Sequence, residues 1–208
     1  MCIRDRILSS YEKTGKSFNE SEVKILCPNP NPSKSLCLAL NYGSHLGERG
    51  APTRPEPFYK TSTALIGPGD PIKIHPEAGL VACESELVAI IGKVAKNVSE
   101  EEALDYVFGY TCGNDVSARE WQGGDDADNQ WWRAKSADTF GPLGPYIVTE
   151  IDPQNVGIKG EDQYSYCMAN NSCRFPSVNH SHGDICACYG YWGDDLCRLE
   201  GRVPLISL

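Results

Sequence analysis

Two glutamates that stand two positions apart carry the first indication of chemistry in this sequence. Glu84 and Glu86 come directly before and within an apolar run that ends at Ile91, and the run predicts a strand. Alternate side chains of a strand point to the same face, so the two carboxylates would lie side by side and repel each other unless a cation lies between them. The pair is therefore either a solvated strand edge or part of a hard-cation site, for which oxygen ligands favour Mg²⁺, Mn²⁺ or Ca²⁺ over Zn²⁺.

Further polar residues follow or lead other apolar runs. Asp115 could complete a cation site, although an aspartate there could equally form a turn or cap a helix. His45 and Glu48 would face each other on a helical turn, either as a surface ion pair or as a base oriented by a carboxylate. Lys135 taken alone is a surface lysine. Each residue has an ordinary structural interpretation beside the chemical one.

The elements that must position these residues are mostly strands. Strands are predicted at residues 35–40, on both sides of the Gly/Pro turn within residues 64–75, at residues 84–92 as a central strand, and at residues 109–115. Residues 97–108 carry a capping box, Ser99 with Glu102, and predict the clearest helix. We therefore expect an α+β domain that is mostly β.

Composition excludes several classes of protein. The 208 residues carry a net charge of −9 without a basic cluster, which argues against a nucleic-acid partner. The apolar runs are too short to span a bilayer, and the N-terminus lacks the apolar core of a signal peptide. We expect a soluble intracellular protein, cytoplasmic or mitochondrial, with no membrane partner. Half of the ten cysteines follow residue 166, without the spacing of a disulfide framework.

Five motifs follow one another along the chain. They are Leu40-Asn-Tyr-x-x-His-x-x-Glu48, Ala64-Leu-Ile-Gly-Pro-Gly-Asp-Pro-Ile72, Glu84-x-Glu-Leu-Val-Ala-Ile-Ile-Gly92, Asn114-Asp-Val-Ser-Ala-Arg-Glu-Trp-Gln122 and Lys135-Ser-x-Asp-Thr-Phe-Gly-Pro-Leu-Gly-Pro145. In this order they resemble the fumarylacetoacetate hydrolase superfamily, in particular its short single-domain members with a fumarylacetoacetase C-terminal-like domain. The resemblance covers the chain from about Ser35 to Val156.

The resemblance implies a mixed β-roll, usually assembled as a homodimer. It implies a metal-dependent hydrolase that cleaves carbon–carbon bonds, or a decarboxylase, acting on small dioxo acids such as acylpyruvates, fumarylacetoacetate-like compounds or oxaloacetate. The implied residue roles are Glu84, Glu86 and Asp115 as ligands of Mg²⁺ or Mn²⁺, with Ca²⁺ as a third candidate, His45 and Glu48 as a dyad that activates water, Lys135 as the group that stabilises negative charge, and Arg119 and Gln122 as substrate-binding residues.

The end of the chain departs from the family pattern. We divide the sequence into an N-terminal arm and linker (residues 1–34), a catalytic domain (35–158) and an anomalous tail (159–208). The resemblance implies further core strands and a Thr-Gly-Thr-Pro loop where the tail stands, so we interpret the tail as truncated or frame-shifted. A zinc site in the tail is disfavoured because its candidate ligands do not have the usual spacing; they are His180, His182, Cys186, Cys188 and Cys197. The functional alternative is a catalytically silent metal-binding or dimerisation module.

Overall fold

Short strands dominate the computed structural model, which describes residues 14–42, 46, 50, 52–123, 125, 127 and 131–153 and the strand segments 157–158, 172–174 and 197–198. The strands are β1 (Leu36–Ala39), β2 (Glu56–Tyr59), β3 (Leu65–Ile66), β4 (Pro71–Lys73), β5 (Val81–Ala82), β6 (Ser85–Ile91), β7 (Val107–Asn114), β8 (Ser117–Ala118), β9 (Gly141–Val148), β10 (Gly157–Ile158), β11 (Ser172–Arg174) and β12 (Cys197–Arg198). Two one-turn helices are described, α1 (Arg119–Gly123) and α2 (Trp132–Ser136).

The largest sheet has four strands in the order β3-β9-β7-β6. Strand β3 pairs with β9 in parallel, whereas β7 pairs antiparallel with both β9 and β6. Four antiparallel pairs accompany it among the described residues, namely β1–β2, β5–β8, β4–β11 and β10–β12. The prediction of a mostly β, mixed α+β fold is confirmed. Strand β6, predicted as central, stands at one end of this four-stranded order.

The helix predicted over residues 97–108 is wrong. That segment forms only a 3₁₀ turn at Ala103–Tyr106, after which β7 begins at Val107. Ser99 does not cap a helix, because its hydroxyl donates to the carboxylate of Glu102 instead. Leu104 is about half exposed, so this residue is not buried as the apolar face of an amphipathic helix would be. The β-branched and aromatic residues that follow pair with β6 instead.

A small apolar core lies directly behind the residues that carry the chemistry. Its buried members are Ile72, Ala78, Val81, Val116, Ala118 and Phe140. Val116 is 1 % exposed and immediately follows Asp115, while Phe140 is fully buried and follows α2 by a short turn. Burial of these two side chains therefore anchors the backbone on both sides of the candidate site.

The segment before β1 contacts the turn between β3 and β4. Lys24 pairs with Asp70 at 2.6 Å on the surface. A Cβ built on Gly67 would lie 2.5 Å from the backbone nitrogen of Cys27, so only glycine allows this close approach. The predicted division of the chain at residues 34 and 158 stays a prediction.

Candidate metal centre

Three carboxylates meet where β6 begins and β7 ends. One oxygen each of Glu84, Glu86 and Asp115 lies within 4.8 Å of the other two. The β6–β7 register places Ser85 opposite Asn114, so Glu84 and Asp115 stand together at the end of the ladder, joined by Asp115 N–H donating to Glu84 O at 2.8 Å. The sequence-predicted triad is thus brought together by strand pairing.

Lys135 lies between two of these carboxylates. Helix α2 carries it inwards, and its Nζ contacts Glu84 Oε2 and Asp115 Oδ2, each at 2.6 Å. The ammonium also lies 5.2 Å from the centre of the Phe58 ring, a cation–π contact. Its side chain is only 4 % exposed. Lys135 is therefore part of the site, in contrast to the surface position that the residue alone would predict.

A second buried ammonium belongs to Lys60, which the sequence interpretation missed. Its Nζ lies 2.7 Å from Asp115 Oδ1 and donates to the carbonyls of Phe140 at 2.8 Å, of Lys135, and of Val116 at 3.4 Å. Lys60 directly follows β2, and it lies on the same side as the buried Phe58 because residues two apart in an extended chain share a face. A lysine buried in this way requires partners.

Glu84 is held by polar groups on both of its oxygens. Arg119 Nη2 donates to Oε1, and Ser117 Oγ donates to Oε2 at 3.2 Å. The same guanidinium donates to Gln122 Oε1 at 2.9 Å, so the two predicted substrate-binding residues contact each other beside the carboxylates. Tyr42, which was not among the predicted site residues, holds Glu86 in place. Its hydroxyl accepts a hydrogen bond from Leu87 N–H at 3.1 Å and forms another with Glu86.

The three carboxylates have different electrostatic environments. Burial opposes ionisation of Glu84, but Lys135 and Arg119 outweigh it and lower the pKa to about 2. Burial, together with the negative charges of Asp115 and Glu84, raises the pKa of Glu86 to about 8, although the hydrogen bond from Tyr42 and the charge of Lys135 act in the opposite direction. Glu86 is therefore the carboxylate of the triad that needs an additional positive charge to ionise at neutral pH.

The donor set fits a hard divalent cation. Oxygen ligands about 2.1 Å from one Mg²⁺ lie at most about 4.2 Å apart, so the three carboxylate oxygens, now within 4.8 Å of one another, would have to move closer together around an ion. Asp115 Oδ1 is buried and accepts no hydrogen bond from the described residues, although Lys60 Nζ is close to it as an ion pair. An all-carboxylate set favours Mg²⁺, Mn²⁺ or Ca²⁺ over softer metals.

Some predicted residues lie outside the described part of the chain. His45 and Glu48, the predicted dyad, are among them, as are the side chains of the alternative zinc ligands in the tail. Cys27 and Cys37 are free thiols. None of the helices in the described residues has the length and apolar character needed to cross a bilayer.

Comparison with known proteins defines the class to which this fold and site belong. The profile of the fumarylacetoacetate (FAA) hydrolase C-terminal family matches residues 34–173. The chain therefore belongs to the fumarylacetoacetate hydrolase family, as the five motifs predicted.

Particular relatives are enzymes of several reaction types. The chain is 42% identical over 156 residues to the mitochondrial oxaloacetate tautomerase of Xenopus laevis, covering 73% of this chain and 49% of that protein. The crystal structure of 2-hydroxyhepta-2,4-diene-1,7-dioate isomerase from Mycobacterium marinum is 41% identical with a TM-score of 0.61, covering 71% of this chain and 54% of that one. The fumarylacetoacetate hydrolase of Exiguobacterium antarcticum is 32% identical with a TM-score of 0.59, covering 75% and 58%. The chain thus spans about half the length of the relatives it matches.

Proposed function

We propose that this chain forms the metal site of an enzyme that acts on small dioxo acids, with Mg²⁺ or Mn²⁺ held by Glu84, Glu86 and Asp115. The carrying observation is the convergence of three carboxylate oxygens within 4.8 Å, one of them on a glutamate whose pKa is raised to about 8. A divalent cation would favour the ionised form of Glu86, so cation binding and proton release are coupled. The reaction within this class is proposed as hydrolysis of a carbon–carbon bond or decarboxylation.

The bound ion would act as a Lewis acid on the oxygens of a dioxo acid and make its enolate accessible near neutral pH. The relatives support this chemistry, because tautomerisation of oxaloacetate, isomerisation of a hydroxydienedioate and hydrolysis of fumarylacetoacetate each shift electrons through an enol of an oxo acid. One site can therefore serve several outcomes, and the groups around the substrate select among them.

The residues of the chain would have separate tasks in this reaction. Lys135, whose ammonium is buried against Glu84 and Asp115, is placed to compensate negative charge that develops next to the ligands. Arg119 and Gln122 are linked at 2.9 Å and partly exposed beside Glu84, where a substrate carboxylate could meet the guanidinium. His45, oriented by Glu48, is the proposed base that takes a proton from water.

The charges of the described site match an anionic substrate. When ionised, Glu84, Glu86 and Asp115 are balanced by Lys60, Lys135 and Arg119. The two positive charges of a bound divalent cation would then be unbalanced, and the dianion of a dicarboxylic dioxo acid would neutralise them.

Turnover assays test the proposal. Oxaloacetate and an acylpyruvate are supplied with Mn²⁺ or with EDTA, and the enol absorbance and the pyruvate formed are followed separately. Pyruvate formation indicates decarboxylation or hydrolysis, whereas loss of enol absorbance without pyruvate indicates tautomerisation. We expect metal-dependent turnover that Glu84→Gln abolishes.

The matched control is Glu77→Gln, which removes an exposed carboxylate on the turn after β4. It should retain full turnover. Metal-independent activity, or activity that survives Glu84→Gln, would overturn the assignment of the site. Binding of Mn²⁺ without turnover would favour the silent metal-binding module instead. The homodimer stays a prediction, which light scattering of the purified protein tests.

A further inference from the structure

Lys60 contacts one of the two oxygens of Asp115, a residue of the candidate metal centre. Asp115 is 4 % exposed and its two oxygens contact different ammonium groups. Oδ1 lies 2.7 Å from Lys60 Nζ, and Oδ2 lies 2.6 Å from Lys135 Nζ on the side of Glu84. Through Oδ2 the carboxylate therefore shares an ammonium with Glu84, and through Oδ1 it contacts a separate ammonium.

The position of the Lys60 ammonium is fixed by groups that do not depend on Asp115. The carbonyls of Phe140, Lys135 and Val116 surround Nζ, and the Lys60 backbone N–H donates to Ser35 O at 3.0 Å, which continues the pairing of β2 with β1. Lys60 is 5 % exposed. A buried ammonium with this many acceptors has little freedom to move, so it acts as a rigid stop against rotation of the Asp115 carboxylate.

We propose that Lys60 is a positioning residue that restricts Asp115 to ligation through one oxygen, and that it thereby favours Mg²⁺ and Mn²⁺ over Ca²⁺ at this site. The inference rests on the proposed metal site. Its physical reason is that Ca²⁺ takes six to eight oxygen ligands and readily binds a carboxylate through both oxygens, whereas Mg²⁺ requires a near-octahedral set of single oxygens. Without the ammonium at Oδ1, Asp115 could offer both oxygens and the site would suit the larger ion better.

Replacement of Lys60 by methionine tests the inference through metal selectivity. Binding of Mn²⁺ to the full chain is followed by electron paramagnetic resonance, and Mg²⁺ and Ca²⁺ are titrated as competitors to give their dissociation constants. We expect the preference for Mg²⁺ over Ca²⁺ to fall on the order of tenfold in Lys60→Met. The loss of a positive charge alone acts on both divalent ions equally and cancels in this ratio.

Ser136→Ala is the matched structural control. Ser136 Oγ donates to Tyr59 O at 2.6 Å, so it also joins α2 to the end of β2, but the bond does not involve Asp115. We expect this variant to be less stable with an unchanged Mg²⁺/Ca²⁺ ratio. An unchanged ratio in folded Lys60→Met, or an equal shift in Ser136→Ala, would overturn the role of Lys60.

A crystal structure of the unaltered chain with Ca²⁺ tests the single-oxygen ligation of Asp115 directly, even if Lys60→Met does not fold. The expected result is Asp115 bound through one oxygen with Oδ1 still beside Lys60 Nζ, and a bidentate Asp115 would refute the inference. If the unaltered chain binds no divalent cation, or if its binding survives Glu84→Gln, the proposed metal site fails and the inference fails with it. Metal binding with an unchanged ratio in Lys60→Met overturns only the inference.

Discussion

Replacement of Lys135 by methionine should remove a buried positive charge and make the stability of the fold depend on an added divalent cation. The Lys135 ammonium contacts two carboxylates at 2.6 Å in a pocket that leaves its side chain 4 % exposed. Removing one partner of such a buried pair typically costs about 3–5 kcal/mol, because the remaining charges stay buried without compensation. We expect a loss of that size in the free energy of unfolding when EDTA is present, measured by urea denaturation.

Addition of Mn²⁺ should restore much of the lost stability. A ligand at about one hundred times its dissociation constant stabilises the fold by about 3 kcal/mol. The variant should also bind Mn²⁺ more tightly than the unaltered chain, since no ammonium competes for Glu84 Oε2 and Asp115 Oδ2. The increase in unfolding midpoint on adding Mn²⁺ should therefore be larger in Lys135→Met, while turnover is lost.

The surface lysine Lys24 provides the control for this experiment. Its side chain is 65% exposed and pairs with Asp70, so Lys24→Met should change stability by less than about 1 kcal/mol and leave the response to Mn²⁺ unaltered. A Lys135→Met protein that is as stable as the unaltered chain in EDTA would show that the ammonium does not compensate the carboxylates. One that is destabilised but does not respond to Mn²⁺ would show that the triad does not hold a cation.

Three further changes probe the core, a thiol and the substrate side of the site. Phe140→Ala should lower the free energy of unfolding by about 3–5 kcal/mol because the ring is fully buried, whereas Phe18→Ala, at an exposed position, should change it by less than about 0.5 kcal/mol; urea denaturation measures both. Burial raises the pKa of Cys37 to about 12, so iodoacetamide should label this thiol far more slowly at pH 8 in the folded chain than after unfolding. Because the thiol of the unfolded chain ionises first, the contribution of Cys37 to stability is lost as pH rises from about 9 towards 12. Rapid labelling of the folded chain, measured by mass spectrometry, would contradict this. Arg119→Lys should raise KM for a dicarboxylic substrate more than it lowers Mn²⁺ affinity, since an ammonium cannot bridge Glu84 and Gln122 as the guanidinium does, and an unchanged KM would exclude Arg119 from substrate binding.

The sequence alone predicted the cluster of three carboxylates better than it predicted the residues around it. The two-residue period of a strand was enough to place Glu84 and Glu86 on one face. Asp115 joined them only through the order of motifs, because the antiparallel register that sets it beside Glu84 is a long-range pairing. Such pairings depend on the packing of the whole sheet and leave no mark in the local pattern.

Local patterns failed where tertiary structure decided the outcome. The capping box at Ser99 indicated a helix start, yet the segment forms only a 3₁₀ turn at Ala103–Tyr106 and passes into strand β7 at Val107. Lys60 was missed for the opposite reason, because lysine is rarely buried and composition gives no warning of the carbonyls that surround it. In both cases the deciding contacts come from residues far away in the chain.

The buried charges are better explained by ligand geometry than by stability of the fold. Buried ion pairs such as those of Asp115 with Lys60 and Lys135 can often be replaced by apolar side chains without loss of stability. The backbone beside them is also unfavourable, since Trp131 and Thr139, on either side of α2, have φ angles of 55° and 71° that bulky or β-branched residues rarely adopt. Such features persist where the surrounding structure enforces them and a function requires them. Here they hold Lys135 and Asp115 in one arrangement, as the proposed site would require to select a small cation and keep it next to an anionic substrate.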